Sequence, residues 1–152
     1  MHLCNMTTAI VIDDSAVARR SIRPLLEAAG CRVVAEGASG DDVLGLYELH
    51  KPTLITMDIV MPGKDGVTAA TELLKLHPEA TVIMCTSLTS REKILACQKA
   101  GVAHYLLKPF QPEKTVQVIR YVLGRAAERG KSNGAAASAP QPAAPLRTEG
   151  GA

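Results

Sequence analysis

Five short β-rich runs, most of them continuously apolar, alternate along this chain with stretches whose apolar residues recur at helical spacing. The runs are Ala9–Ile12, Arg32–Ala38, Leu54–Asp58, Thr81–Thr86 and His104–Leu107. A strand that reads as unbroken apolar sequence is one buried on both faces, which is the habit of parallel sheets. Strands alternating with helices imply the same, and right-handed crossovers then place helices on both sides of the sheet. The expected class is α/β.

Helical periodicity fills the intervals. Ala18, Ile22, Leu25 and Ala29 share one face of the first helix, with Gly30 placed to cap it. Pro24 falls inside that helix and is expected to bend it or remove a hydrogen bond. A second helix spans Asp41–His50 and stops before Pro52. Val67, Ala70, Leu73 and Leu74 mark a third, Ser90–Ala100 a fourth, and Val116, Ile119, Val122 and Leu123 a fifth.

Composition supports a packed core and excludes several classes of function. The chain has 152 residues, 47% of them hydrophobic, enough for one domain that needs neither disulfides nor metal for stability. Aromatic residues are only 3% and tryptophan is absent, which argues against a base-stacking nucleic-acid platform. A formal net charge of +2 predicts no nucleic-acid or anionic-membrane partner. The four cysteines, Cys4, Cys31, Cys85 and Cys97, form no CxxC and no metal-type spacing with His2, His50, His77 or His104. Cys31, Cys85 and Cys97 fall in apolar segments, where free cysteine packs as a small hydrophobe. No apolar run reaches the ~18 residues of a membrane span and no signal peptide opens the chain, so a cytoplasmic, reduced protein is expected. Residues 1–129 carry the folded pattern. Residues 130–152 are rich in Ala, Pro, Gly and Ser, with Leu146 the one large apolar residue, and are expected to form a disordered tail or linker.

In doubly wound sheets the ligand crevice lies beyond the carboxyl ends of the strands, near the topological switch point. With strand order 2-1-3-4-5, those ends supply Asp13-Asp14 after the first strand, Asp58 on the third, Thr86-Ser87 on the fourth and Lys108-Pro109 after the fifth. Each residue also has an ordinary structural reading. Asp14 or Ser15 caps a helix, Asp58 precedes a Pro-Gly turn, Thr86 is a β-branched strand residue, and Lys108 snorkels to solvent. Their joint arrival at one sheet edge favours function. Carboxylates roughly 4–6 Å apart repel by a few kcal/mol per pair, so the cluster calls for a proton or a cation. Hard oxygen donors suit Mg²⁺, and a lysine facing them adds a fixed positive charge. Metal, ammonium and the Thr86 hydroxyl around Asp58 describe a site for an acyl phosphate, with Asp58 the nucleophile toward a phosphoryl group.

The segments IVIDDS (Ile10–Ser15), TMDIVMPGKDG (Thr56–Gly66), MCTS (Met84–Ser87) and AGVAHYLLKPF (Ala100–Phe110) resemble the receiver domains of two-component response regulators, and closely resemble the single-domain CheY-like group. The resemblance spans about Thr8 to Leu123 and implies a flavodoxin-like fold. It also implies that Asp58 is phosphorylated by a histidine kinase, and that Asp13 (through water), Asp14, Asp58 and the Val60 carbonyl hold Mg²⁺. It implies further that Lys108 pairs with the phosphoryl group, with a cis Lys108–Pro109 bond. Thr86 and Tyr105 act as the switch, altering the face of the fourth helix, fifth strand and fifth helix that a downstream protein reads; a phosphatase is a further implied partner. Lys64 departs from the apolar residue common at its position. Val60 and Leu88 are both apolar where the family controls water access to the acyl phosphate, so a long-lived phosphoryl state is expected.

Three other readings compete with a stand-alone regulator. One is the receiver part of a transcription factor or output enzyme. A haloacid-dehalogenase-type phosphohydrolase needs a second aspartate two residues after the nucleophile, where this chain has Val60. A receiver that never takes phosphate is disfavoured because the acceptor, lysine, threonine and acidic pair are all present.

Overall fold

A computed structural model describes residues 7–87 and 90–131. Its elements are β1 (Thr7–Ile12), α1 (Ala16–Ala28), β2 (Cys31–Gly37), a 3₁₀ turn (Gly40–Asp42), α2 (Val43–His50), β3 (Leu54–Asp58), α3 (Gly66–Leu76), β4 (Val82–Thr86), α4 (Arg91–Ala100), β5 (His104–Leu107) and α5 (Pro112–Lys131). The five strands form one parallel sheet in the order β2-β1-β3-β4-β5. This is the expected architecture.

Side-chain alternation divides the core into two layers. Ile10, Ile12, Ile55, Met57, Val82 and Met84 face α2, α3 and α4, packing on Tyr47, Ala70, Leu73 and Cys97. Ala9, Val11, Leu54, Ile83, Cys85 and Leu106 face α1 and α5, packing on Ile22, Leu26, Ile119 and Val122. β3 is buried along its whole length, as its continuous apolar run requires. Cys31, Cys85 and Cys97 are free and buried, and burial pushes the Cys85 thiol up to about 12. They are packing residues; Cys4 and His2 lie outside the described residues. Among those described, no helix is long and apolar enough to cross a membrane.

Local differences from the expected boundaries have local causes. Ser15 is the N-cap of α1, its Oγ accepting from the Ala18 N–H at 3.2 Å, which leaves Asp14 free for the crevice. α1 runs through Pro24 to Ala28 with the ring on an exposed position, and gives up there the i→i−4 hydrogen bond that a proline cannot donate. Gly30 takes the left-handed conformation (φ 93°) that closes this helix, and its N–H donates to the Glu27 carbonyl at 3.0 Å. The second helix opens with a 3₁₀ turn because the Ser39 hydroxyl accepts from the Asp41 N–H and tightens the chain there. α5 reaches Lys131, two residues past Arg129, and residues 132–152 lie outside the described residues.

Candidate functional site

Strand register brings the acidic residues together. Ile12 pairs with Met57, so the next residue on each strand places Asp13 beside Asp58. On the other side Asp58 pairs with Cys85, and Thr86 pairs with Leu107, which puts Lys108 at the same edge. The Lys108 N–H donates to the Thr86 carbonyl at 2.8 Å, fixing the base of the lysine. Lys108–Pro109 is a cis peptide.

The pocket is built around one ammonium and three carboxylates. Lys108 Nζ donates to Asp13 Oδ2 at 2.6 Å and to Asp58 Oδ2 at 3.2 Å. Asp13 Oδ1 accepts from the Ser15 N–H at 2.9 Å, and Asp58 Oδ1 from the Val60 N–H at 3.4 Å. Oxygens of Asp13, Asp14 and Asp58 lie within 4.8 Å of one another, Asp13 buried and Asp14 exposed. Such a set of hard donors, already neutralised on one side by an ammonium, fits Mg²⁺: Asp14 faces solvent, where an ion would retain waters and accept substrate oxygens.

Burial raises the Asp58 pKa; Lys108 pulls it back and Asp13 adds to the rise, leaving it above the usual carboxylate value. Because the folded value exceeds the unfolded one, ionised Asp58 costs stability at neutral pH. That cost disappears as pH falls through the folded and then the unfolded value. Asp58→Asn is therefore expected to melt a few degrees above the wild type at pH 7 without metal, with the gap closing toward pH 4. Thermal unfolding across that range checks it; a variant that melts lower at pH 7 contradicts it.

Other residues singled out in the sequence take distinct places. Thr86 ends β4 with its side chain buried. Tyr105 lies on β5, half-buried against the layer that carries α4, in register with Met84 and outside the Asp13–Lys108–Asp58 network. Val60 projects its side chain outward, 57% exposed. Lys64 pairs with Glu72, in the middle of α3, at 2.5 Å. Leu88 lies outside the described residues. Sequence reasoning missed Gly66 and Arg19. Gly66 opens α3 against β3, with its N–H on the Ile59 carbonyl at 2.8 Å. Arg19 donates to the Asp13 carbonyl. The place of Gly66 at the end of the Asp58 motif was a signal for the former; the latter left none.

The fold and this carboxylate–lysine pocket define a receiver domain, and the response regulator receiver domain family model matches residues 9–120. The chain belongs to the response regulator receiver family. It is similar to the chemotaxis protein CheY of Bacillus subtilis, 34% identical over 114 residues, 75% of this chain and 95% of that protein. Protein CcdB of Bacillus subtilis is 35% identical over 119 residues, 78% of this chain and 99% of that protein. Among solved structures, the BeF3-activated DrrB receiver domain aligns with a TM-score of 0.70 at 26% identity, covering 79% of this chain and 99% of that one.

Proposed function

We propose that this chain is a stand-alone, chemotaxis-type receiver that takes a phosphoryl group from a histidine kinase onto Asp58 and thereby switches its binding to a downstream protein. The observation that carries the reading is the Lys108 ammonium held between Asp13 and Asp58, with Asp14 open to solvent beside them. In the transfer an Asp58 carboxylate oxygen forms the new O–P bond as the P–N bond to the donor imidazole breaks. The electron pair leaves with the imidazole. Lys108 and the Thr86 hydroxyl hold the phosphoryl oxygens, so positioning and electrostatics supply the acceleration. Mg²⁺, held by Asp13, Asp14, Asp58 and the Val60 carbonyl, would neutralise charge on the same oxygens.

The output follows as a population shift. An arrangement with Thr86 drawn to the phosphoryl group and Tyr105 turned inward binds that group better than the resting one, and remodels the face of α4, β5 and α5. The protein acts as a cytoplasmic switch and not as an enzyme, with a phosphatase resetting it. Likeness to CheY over nearly all of its length favours chemotaxis-type output. A receiver section of a larger regulator is the alternative, and the mass of the native protein separates the two.

Treatment with acetyl phosphate and Mg²⁺ should give a hydroxylamine-labile acyl phosphate; a hydroxylamine-resistant adduct would place the group on another residue type. The exposed Val60 side chain has no group with which to orient water, so the isolated phosphoprotein is expected to outlast the seconds scale. Decay within seconds, followed by phosphate release, contradicts that expectation.

A further inference from the structure

Arg19 sits in the opening turns of α1, yet its guanidinium reaches back to the strand ends. Nη1 donates to the Asp13 carbonyl, and Nε donates to Glu36 Oε1 on β2 at 3.0 Å. Arg23 holds the other Glu36 oxygen. These hydrogen bonds, the Arg23 one largest, keep the Glu36 carboxyl below its usual range, so the anchor is a firm anion. The Arg19 side chain is 21% exposed and Glu36 35%. A partly exposed ion pair of this kind contributes about 0–1 kcal/mol to stability. Its consequence is geometric.

The Asp13 carbonyl belongs to the peptide unit whose N–H is that of Asp14. Asp13 is already tied at its own N–H, which donates to the Gly37 carbonyl at 3.0 Å, and at its carboxylate, by Ser15 and Lys108. The Ser15 bond closes a turn over Asp14, and the carbonyl of the Asp13–Asp14 peptide inside that turn is held by Arg19, whose grip fixes the peptide plane and with it the direction of Asp14. We infer that Arg19, braced by Glu36, is a positioning residue that sets this peptide plane and so aims Asp14 at the divalent cation. The inference rests on the receiver reading above and deepens it, adding β2 and α1 to the machinery of the metal pocket.

Charge and geometry predict opposite signs. Removing a cation near an acidic pocket strengthens Mg²⁺ binding if charge alone matters. Loss of a positioning group weakens it, by about ten-fold where such partners support metal ligands. Isothermal titration of Mg²⁺ into the full chain is therefore decisive. Arg19→Ala should bind Mg²⁺ about ten-fold more weakly, while the exposed neighbour variant Arg20→Ala stays within about two-fold of wild type. Arg19→Lys should fail to rescue, because one ammonium cannot reproduce a fork that spans two acceptors. Phosphorylation of Arg19→Ala by acetyl phosphate should return toward the wild-type rate at saturating Mg²⁺.

Wild-type or tighter Mg²⁺ binding by Arg19→Ala would overturn the inference and leave the receiver reading intact. If Arg19→Ala does not unfold cooperatively, Arg19→Lys decides the question on the same scale. Absence of Mg²⁺ binding by the wild type sinks the receiver reading itself, and this inference with it.

Discussion

Lys108→Ala is expected to slow phosphorylation by acetyl phosphate about 100-fold, the loss typical of one preorganised electrostatic donor, while tightening Mg²⁺ binding. The two signs come from one residue. In the resting pocket the ammonium occupies oxygens of Asp13 and Asp58 that a divalent cation also seeks. Its removal frees both carboxylates and deletes a like charge beside the metal. In the proposed transfer the same ammonium would neutralise the incoming phosphoryl oxygens, and nothing would replace it. Burial works against its charge, but the Asp13 hydrogen bond and the two neighbouring carboxylates outweigh this and raise its pKa. A raised lysine contributes stability that is fully present below its unfolded value and lost only as pH climbs through the folded one, above about pH 10. The lysine is therefore charged wherever the protein works. Rates from intact mass and Mg²⁺ affinity by titration check both signs. Slower phosphorylation with weaker Mg²⁺ binding would mean a damaged pocket and no separate role for the lysine.

Gly66→Ala is expected to cost about 2–3 kcal/mol of stability, large for a single methyl. A Cβ at Gly66 would lie 2.8 Å from the Met84 methyl and closer still to the Asp58 carbonyl, below any real contact distance. Met84 can give way; the backbone of β3 cannot without moving Asp58 or lifting the start of α3. Gly45 supplies the internal control. It lies in α2 with nothing within 4 Å of an added methyl, so Gly45→Ala should stabilise by roughly 0.5–1 kcal/mol. Urea unfolding of the pair reads both. Equal effects would show that close approach at Gly66 is not what the position requires.

The pattern of apolar runs made the fold legible because burial on both faces leaves no alternation to confuse strand with loop. β3 and β5 begin and end where their runs do. The pocket was legible for a related reason: parallel strands deliver their carboxyl ends to one edge, so Asp13, Asp58 and Lys108 could be placed together although 95 positions separate the first from the last. What the sequence concealed was side-chain direction. Lys64 lies in the loop after Asp58, yet pairs with Glu72. Leu26 fell outside the expected face of α1 but is fully buried, because the helix is rotated to bring it and Ile22 onto the sheet. The Arg19–Glu36 brace depends on a contact 17 residues apart between a helix and a strand, and no local pattern encodes that pairing.

The central claim is that Asp58 takes the phosphate, and intact mass tests it most directly. The wild type and an Asp58→Ala variant are incubated with acetyl phosphate and Mg²⁺ and weighed. One added phosphoryl mass on the wild type, absent from the variant and abolished by EDTA, is the predicted result. The same adduct on Asp58→Ala, or none on a wild type shown to bind Mg²⁺ and supplied with a competent histidine kinase, would contradict it.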